Sequence, residues 1–127
     1  MPAPDRLALL RIVATPAALD SYQWSKGAIV MRVAPDEILA ISSASSVRSG
    51  DPHAIELAES GFAGIWLEAA EANEFLSRWC EWELPAQRPA FAQGAVAGLP
   101  VKLWFEQDRV LILVPAPYAA ELAERMS

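Results

Sequence analysis

The run VLILV at residues 110–114 has no polar side chain at either parity and stops at Pro115. A strand with one wet face alternates apolar and polar residues, so five aliphatic residues in a row demand cover on both faces. The run suits a buried strand and falls far short of the roughly 20 apolar residues that a membrane-crossing helix needs. Immediately upstream, Val101, Leu103 and Phe105 alternate with Lys102, Trp104 and Glu106. That period of two makes a strand with one inward face, from which Trp104 points away. Gln107-Asp108 between the two runs provides a tight reversal, so VLILV is expected as a central strand with an antiparallel neighbour.

The other elements arrange themselves around this pair. Residues 29–33 and 38–41 are short β runs joined by Ala34-Pro35-Asp36-Glu37. Proline presets φ at the first central position of a turn and aspartate bonds back to the backbone, so a hairpin is expected. Residues 42–53, SSASSVRSGDPH, are polar and close on Gly-Asp-Pro, which reads as a loop. Two brief β segments, 55–58 and 62–67, are expected around Glu59-Ser60-Gly61.

Residues 68–80 form the clearest helix. Ala72, Phe75, Leu76 and Trp79 recur at i, i+3, i+4 and i+7, and Glu74 and Arg78 have the spacing of an i,i+4 pair. Residues 81–100 contain Pro85, Pro89, Gly94 and Gly98, and read as extended or irregular, with AFAQGAVAG as a small-residue loop running into the strand. Pro117 suits the first turn of a closing helix that turns Tyr118, Leu122 and Met126 inward. Residues 1–27 stay ambiguous: 7–13 fits a strand or a short helix, and Pro16 limits any helix there. The order predicts an α+β fold in a single domain, a mostly antiparallel sheet with helices on one face, with 1–27 as an N-terminal segment and 28–127 as the body.

The chain has 127 residues and a formal net charge of −6, and its basic residues are scattered rather than clustered. A polyanion needs a basic patch, so nucleic acid is disfavoured as a partner. The single cysteine, Cys80, has no internal partner for a disulfide, and the apolar run near the start is preceded by Asp5 and interrupted by Arg11. Both features fit a reducing cytoplasm better than secretion.

Candidate chemistry is thin. His53 stands in the polar loop with no recognisable nucleophile or ligand set, and reads as a solvated loop residue. Cys80 ends a helix beside Glu81 and Glu83, a poor setting for a thiolate, and reads as a small buried hydrophobe. Carboxylates recur at Asp36/Glu37, Glu56/Glu59, Glu68/Glu71/Glu74 and Glu121/Glu124, but no histidine or asparagine completes a metal set, so solvated faces are expected. Gly94 and Gly98 lead into a strand rather than a helix and lack the Gly-Lys-Ser/Thr ending of a phosphate loop. No catalytic, cofactor-binding or metal residue is therefore assigned.

The surplus lies in apolar and aromatic side chains: 54% of residues are hydrophobic and five are tryptophan. Large aromatics supply core or interface area, or stack on a planar ligand. Trp66, Trp82 and Trp104 are the candidates for an interface or a stacking site.

Several stretches also carry a family resemblance. MRVAPDEILAI resembles the strand, Pro-Asp-Glu turn and strand of the gamma subunit of heterotetrameric sarcosine oxidase and of the related folate-binding-like domains of glycine cleavage T-protein. IELAESGFAGIWL with the helix ending near Cys80, and WELPAQRPAFAQGAVAGLPVKLWFEQDRVLILVPAPYAAELAERM, extend the resemblance over residues 28–126. It implies the T-protein-like fold and a small accessory subunit with no flavin or catalytic residue of its own, packed against larger oxidase subunits. A homo-oligomer would cover an apolar surface equally well. The alternative is a stand-alone domain that binds a pterin- or folate-like ligand in a tryptophan-lined cleft.

Overall fold

The computed structural model describes residues 3–41 and 51–127. Residues 42–50 of the expected serine-rich loop lie outside the described residues, and the rest of it is a turn at Pro52-His53. The fold is α+β and dominated by an antiparallel sheet. Contacts divide the chain into two units, Ala8–Ser60 and Gly61–Ser127, the latter joined by the start of the first strand up to Leu7.

In Ala8–Ser60 the ambiguity at the N-terminus resolves into strand β1 (Asp5–Val13) and a five-residue helix α1 (Pro16–Asp20). Thr15 explains where α1 begins: its hydroxyl accepts the Ala18 N–H at 3.2 Å, and Pro16 occupies the first turn, where its missing N–H costs nothing. The expected hairpin is present as β2 (Ile29–Ala34) and β3 (Glu37–Ile41), antiparallel with Met31 opposite Leu39 and a bulge between Arg32 and Ala34. β3 also pairs with β1, Ile12 opposite Ile38, and so lies between its two neighbours. Ile12, Ile38, Ala40, Leu19 and Tyr22 belong to one buried cluster of this unit, and Met31 and Leu39 are buried outside it.

Two arginines brace it. Arg32 donates from Nε and Nη2 to the Pro35 carbonyl (3.1 and 2.8 Å), from Nη2 to the Pro16 carbonyl (3.2 Å) and from Nη1 to Asp20 Oδ1 (2.9 Å), tying the hairpin turn to α1. Arg11 pairs with Glu37 on β3 and with Glu59, to which Nη2 and Nε donate at 2.8 and 3.0 Å.

In Gly61–Ser127 the strand order is β4-β7-β6-β5, and every pairing is antiparallel. β4 (Ile55–Glu68) is one continuous strand of 14 residues and not the two segments expected around Glu59-Ser60-Gly61. Glycine and serine permit a turn there but do not require one, and the ladder from Phe62 to Glu68 against β7 (Arg109–Pro115) keeps the chain extended.

The stretch expected as an irregular loop also differs: Ala90–Val96 is an edge strand, β5, hydrogen-bonded along its whole length to β6 (Leu99–Phe105). Only Ala97-Gly98 turns, with φ of 54° and 78°. Two positive φ angles are the signature of the hairpin turn whose twist matches its strands.

VLILV is the centre of β7, with every residue from Val110 to Val114 at 2% exposure or less. The inward faces of β4, β6 and β7 supply Ile65, Leu103, Phe105 and Ile112 to a core closed by two helices. α2 (Ala69–Trp79) contributes Ala72, Phe75 and Leu76, and α3 (Ala119–Met126) contributes Leu122 and Met126. The start of α2 has no side-chain cap; instead the Ala69 N–H donates to the Asp108 carbonyl in the β6–β7 turn at 3.0 Å.

Two expectations about inward faces fail. Trp79 is 37% exposed at the last turn of α2, and Tyr118 is 38% exposed because Ala116–Tyr118 is a 3₁₀ turn whose rotation per residue differs from that of the α-helix it precedes. Among the described residues no helix is long and apolar enough to cross a membrane.

Ala97 holds a left-handed conformation that disfavours a side chain with a Cβ and favours asparagine. Ala97→Asn should raise unfolding stability by on the order of 0.5–1 kcal/mol, and Gly98→Ala should lower it by about 1–2 kcal/mol. Urea denaturation of the two variants beside the parent checks both signs.

Candidate functional site

The sheet separates the three tryptophans expected to form a surface. In antiparallel pairing, residues directly opposite one another project to the same face. Trp66 stands opposite Leu111, and Leu111 opposite Trp104, which in turn stands opposite Phe91. These four residues make one row across β4, β7, β6 and β5, on the face away from α2 and α3. Trp82 belongs to the other face, where it packs against the helix-side core with Cys80 and Leu84. A single cleft lined by all three indoles is therefore not formed.

Trp82 explains the glycine of β5. Its six-membered ring lies over Gly94, where an added Cβ would sit 2.9 Å from both Cε2 and Cζ2. Its indole N–H donates to the Ala95 carbonyl at 2.7 Å, blunting the sheet edge. The Ala97 N–H donates to the Trp79 carbonyl at 3.1 Å, and the Cys80 thiol lies 3.4 Å from the Trp82 carbonyl. Gly94 thus marks neither a loop nor a phosphate cradle, but the close approach of an indole to a strand.

On the opposite face, the aromatic row is tied down by charge. The Arg109 guanidinium lies 3.7 Å from the Trp66 ring centroid, and Arg109 Nε donates to Glu106 Oε1 at 2.9 Å. The other oxygen, Glu106 Oε2, accepts the Trp104 indole N–H at 3.1 Å. One carboxylate on the β6–β7 turn therefore links both half-buried indoles through one arginine. A planar ligand stacking on that side of Trp66 would have to displace Arg109, a contact worth roughly 0.5–2 kcal/mol. One row along, Lys102 Nζ donates to Gln93 Oε1 at 2.9 Å and lies 5.9 Å from the Phe62 ring.

Concave sites among the described residues lie elsewhere. In Ala8–Ser60 a polar hollow of about 240 Å³ is bordered by Tyr22, Asp51, Pro52, Ala54 and Glu56, with the Tyr22 hydroxyl donating to Glu56 Oε2 at 3.1 Å. In Gly61–Ser127 a groove of about 140 Å³ lies between α2 and α3. Its apolar lining is Leu67, Phe75, Trp79 and Met126, and its charged lining is Glu71, Glu74, Arg78 and Arg125. Sequence reasoning placed the α2 charges on a solvated face and did not find this groove. The signal was half there, since Glu71, Glu74 and Arg78 share a helix stripe, but Arg125 and Met126 join them only by packing.

The remaining candidates fall where they do little together. His53 is exposed, and its backbone N–H donates to Asp51 Oδ1 at 2.8 Å in a local turn. Cys80 is half-buried against the helix-side core rather than enclosed by it. Glu59 pairs with Arg11 and Glu56 with Tyr22, so these carboxylates have partners instead of forming an acidic pair.

If the indole of Trp82 is what requires glycine at 94, Gly94→Ala should cost roughly 1–3 kcal/mol by forcing the ring off the strand. In a Trp82→Ala background the same change should cost less than about 0.5 kcal/mol, since the two sites then share no contact. A double-mutant cycle by chemical denaturation reads the coupling.

No protein-family model matches the chain, and neither a curated protein nor a solved structure matches it.

Proposed function

We propose that this chain is an accessory or scaffold protein, without catalysis of its own, that works by docking onto a larger protein partner. The observation that carries the reading is the state of its tryptophans: none of the five is buried in the core, and one, Trp79, is exposed. Indoles are the most productive interface side chains, because each brings a large rigid area and a single donor.

The Trp66–Trp104 row supports the reading further. Its rings are held in place by Arg109 and Glu106, so little side-chain freedom remains to be lost on association. Ile55 and Leu57, each 53% exposed at the start of β4, add apolar surface in the other unit. The resemblance to the gamma subunit of sarcosine oxidase points the same way, towards a T-protein-like domain seated on larger oxidase subunits. A second copy of the chain is the competing occupant.

Affinity purification of the tagged chain from its native host tests the proposal, with a Trp66→Ala/Trp104→Ala variant purified alongside. Both indoles are only half-buried, so the double variant should keep its fold, as circular dichroism can verify. A flavoprotein or another large partner should co-purify with the parent chain, and its recovery should fall at least about tenfold with the variant, equivalent to 1.4 kcal/mol. A parent chain that light scattering shows to be a monomer and that retains nothing overturns the reading. So does a partner that binds the variant equally well.

A further inference from the structure

The groove between α2 and α3 carries a chemistry that docking through the tryptophan row does not use. Its floor and wall are apolar, from Leu67, Phe75, Met126 and Trp79. Around them stand two carboxylates and two guanidinium groups, Glu71 and Glu74 against Arg78 and Arg125. None of these four has a side-chain ion pair or hydrogen bond among the described residues, although Glu74 and Arg78 are spaced for one. The signs are ordered along α2: Glu71 lies in its first turn and Arg78 in its last, while Arg125 comes from the last turn of α3. The groove therefore carries both signs of charge around a greasy surface, with the carboxylates of α2 nearer its start than Arg78.

We propose that this groove binds a small zwitterion with an apolar body, of which a hydrophobic α-amino acid is the simplest case. The ligand's carboxylate would accept from Arg78 and Arg125, its ammonium would donate to Glu74 and Glu71, and its side chain would cover Phe75, Met126 and the exposed Trp79. Guanidinium groups suit a planar carboxylate because they offer paired donors. A ligand carrying only one charge would leave the opposite pair of side chains unmatched and forgo half the attraction.

Size narrows the class. Pockets for drug-sized ligands occupy roughly 300–1,000 Å³. The 140 Å³ found here is smaller than that and suits a body about as large as one amino acid. The charged groups stand at the protein surface, where pairing is weak, so the expected dissociation constant is of the order of 1 mM. The inference shares only Trp79 with the docking proposal and does not need it to hold, because the groove lies on the face of the sheet opposite the Trp66–Trp104 row.

Nuclear magnetic resonance of the intact chain, reading the Trp79 indole N–H and the Met126 methyl, provides the test with L-leucine as probe. Both signals should shift and saturate near 1 mM, with N-acetyl-leucine and leucinamide, each lacking one charge, at least about tenfold weaker. Glycine has the charges but no apolar body and should not saturate either signal at the same concentrations. Arg125→Gln and Glu74→Gln, both at the surface, should each weaken leucine several-fold while leaving the rest of the spectrum in place. Absence of a saturable shift with leucine overturns the inference. Equal binding of leucine and its two singly charged analogues does so as well, since the groove would then be recognising grease alone.

Discussion

The structure of Gly61–Ser127 depends on the need to cover β7 on both faces. Each of Val110, Leu111, Ile112, Leu113 and Val114 is buried, and each would cost about 1.5–3 kcal/mol to leave in water. β7 cannot be an edge strand, because an edge would also expose its backbone row, and it is accordingly flanked by β4 and β6. On one face the requirement calls in α2 and α3, whose apolar stripes close over Val110, Ile112 and Val114. The α2 stripe lies there because the first helical N–H, from Ala69, is held by the turn that leads into β7.

Once the central strand is placed, the aromatic side chains are sorted by parity. Trp66 and Trp104 share the face of Leu111, whereas Trp82 arrives from outside the sheet and lands on the face of Val101, over Gly94. The two groups have different constraints. Trp82 is committed to its own chain by a ring contact and a donor bond, and leaves no room for a side chain at Gly94. Trp66 and Trp104 are braced from the side by Arg109 and Glu106 and stay half-buried. The groove between α2 and α3 and the Trp66–Trp104 row lie on opposite faces of the sheet.

Much of this was legible from local pattern. The alternation of Val101, Leu103 and Phe105, the uniform VLILV and the Pro35-Asp36 turn each specify a conformation with contacts only a few residues away, and each was placed correctly. So was the inward set Ala72, Phe75 and Leu76. The misreadings occurred where the deciding contact is remote. AFAQGAV looks like a loop because most of its residues are small, yet its glycine is there because Trp82, twelve residues earlier, lies across it. Glu59-Ser60-Gly61 looks like a turn, but Arg11 from β1 grips Glu59 in an extended chain. Trp79 fits the apolar stripe of α2 by spacing alone, yet at the last turn of the helix the core no longer reaches it.

The amino-acid sequence by itself determined the antiparallel α+β character, the central strand, most of the inward face of α2 and that of α3, because periodicity and turn chemistry act over one or two turns of chain. Only the tertiary structure decided which tryptophans share a face, why Gly94 is a glycine and that Arg125 of α3 lines the same groove as Glu71, Glu74 and Arg78 of α2. Those facts depend on strand register and helix placement, which are set by packing between residues tens of positions apart and leave no period in the sequence to read.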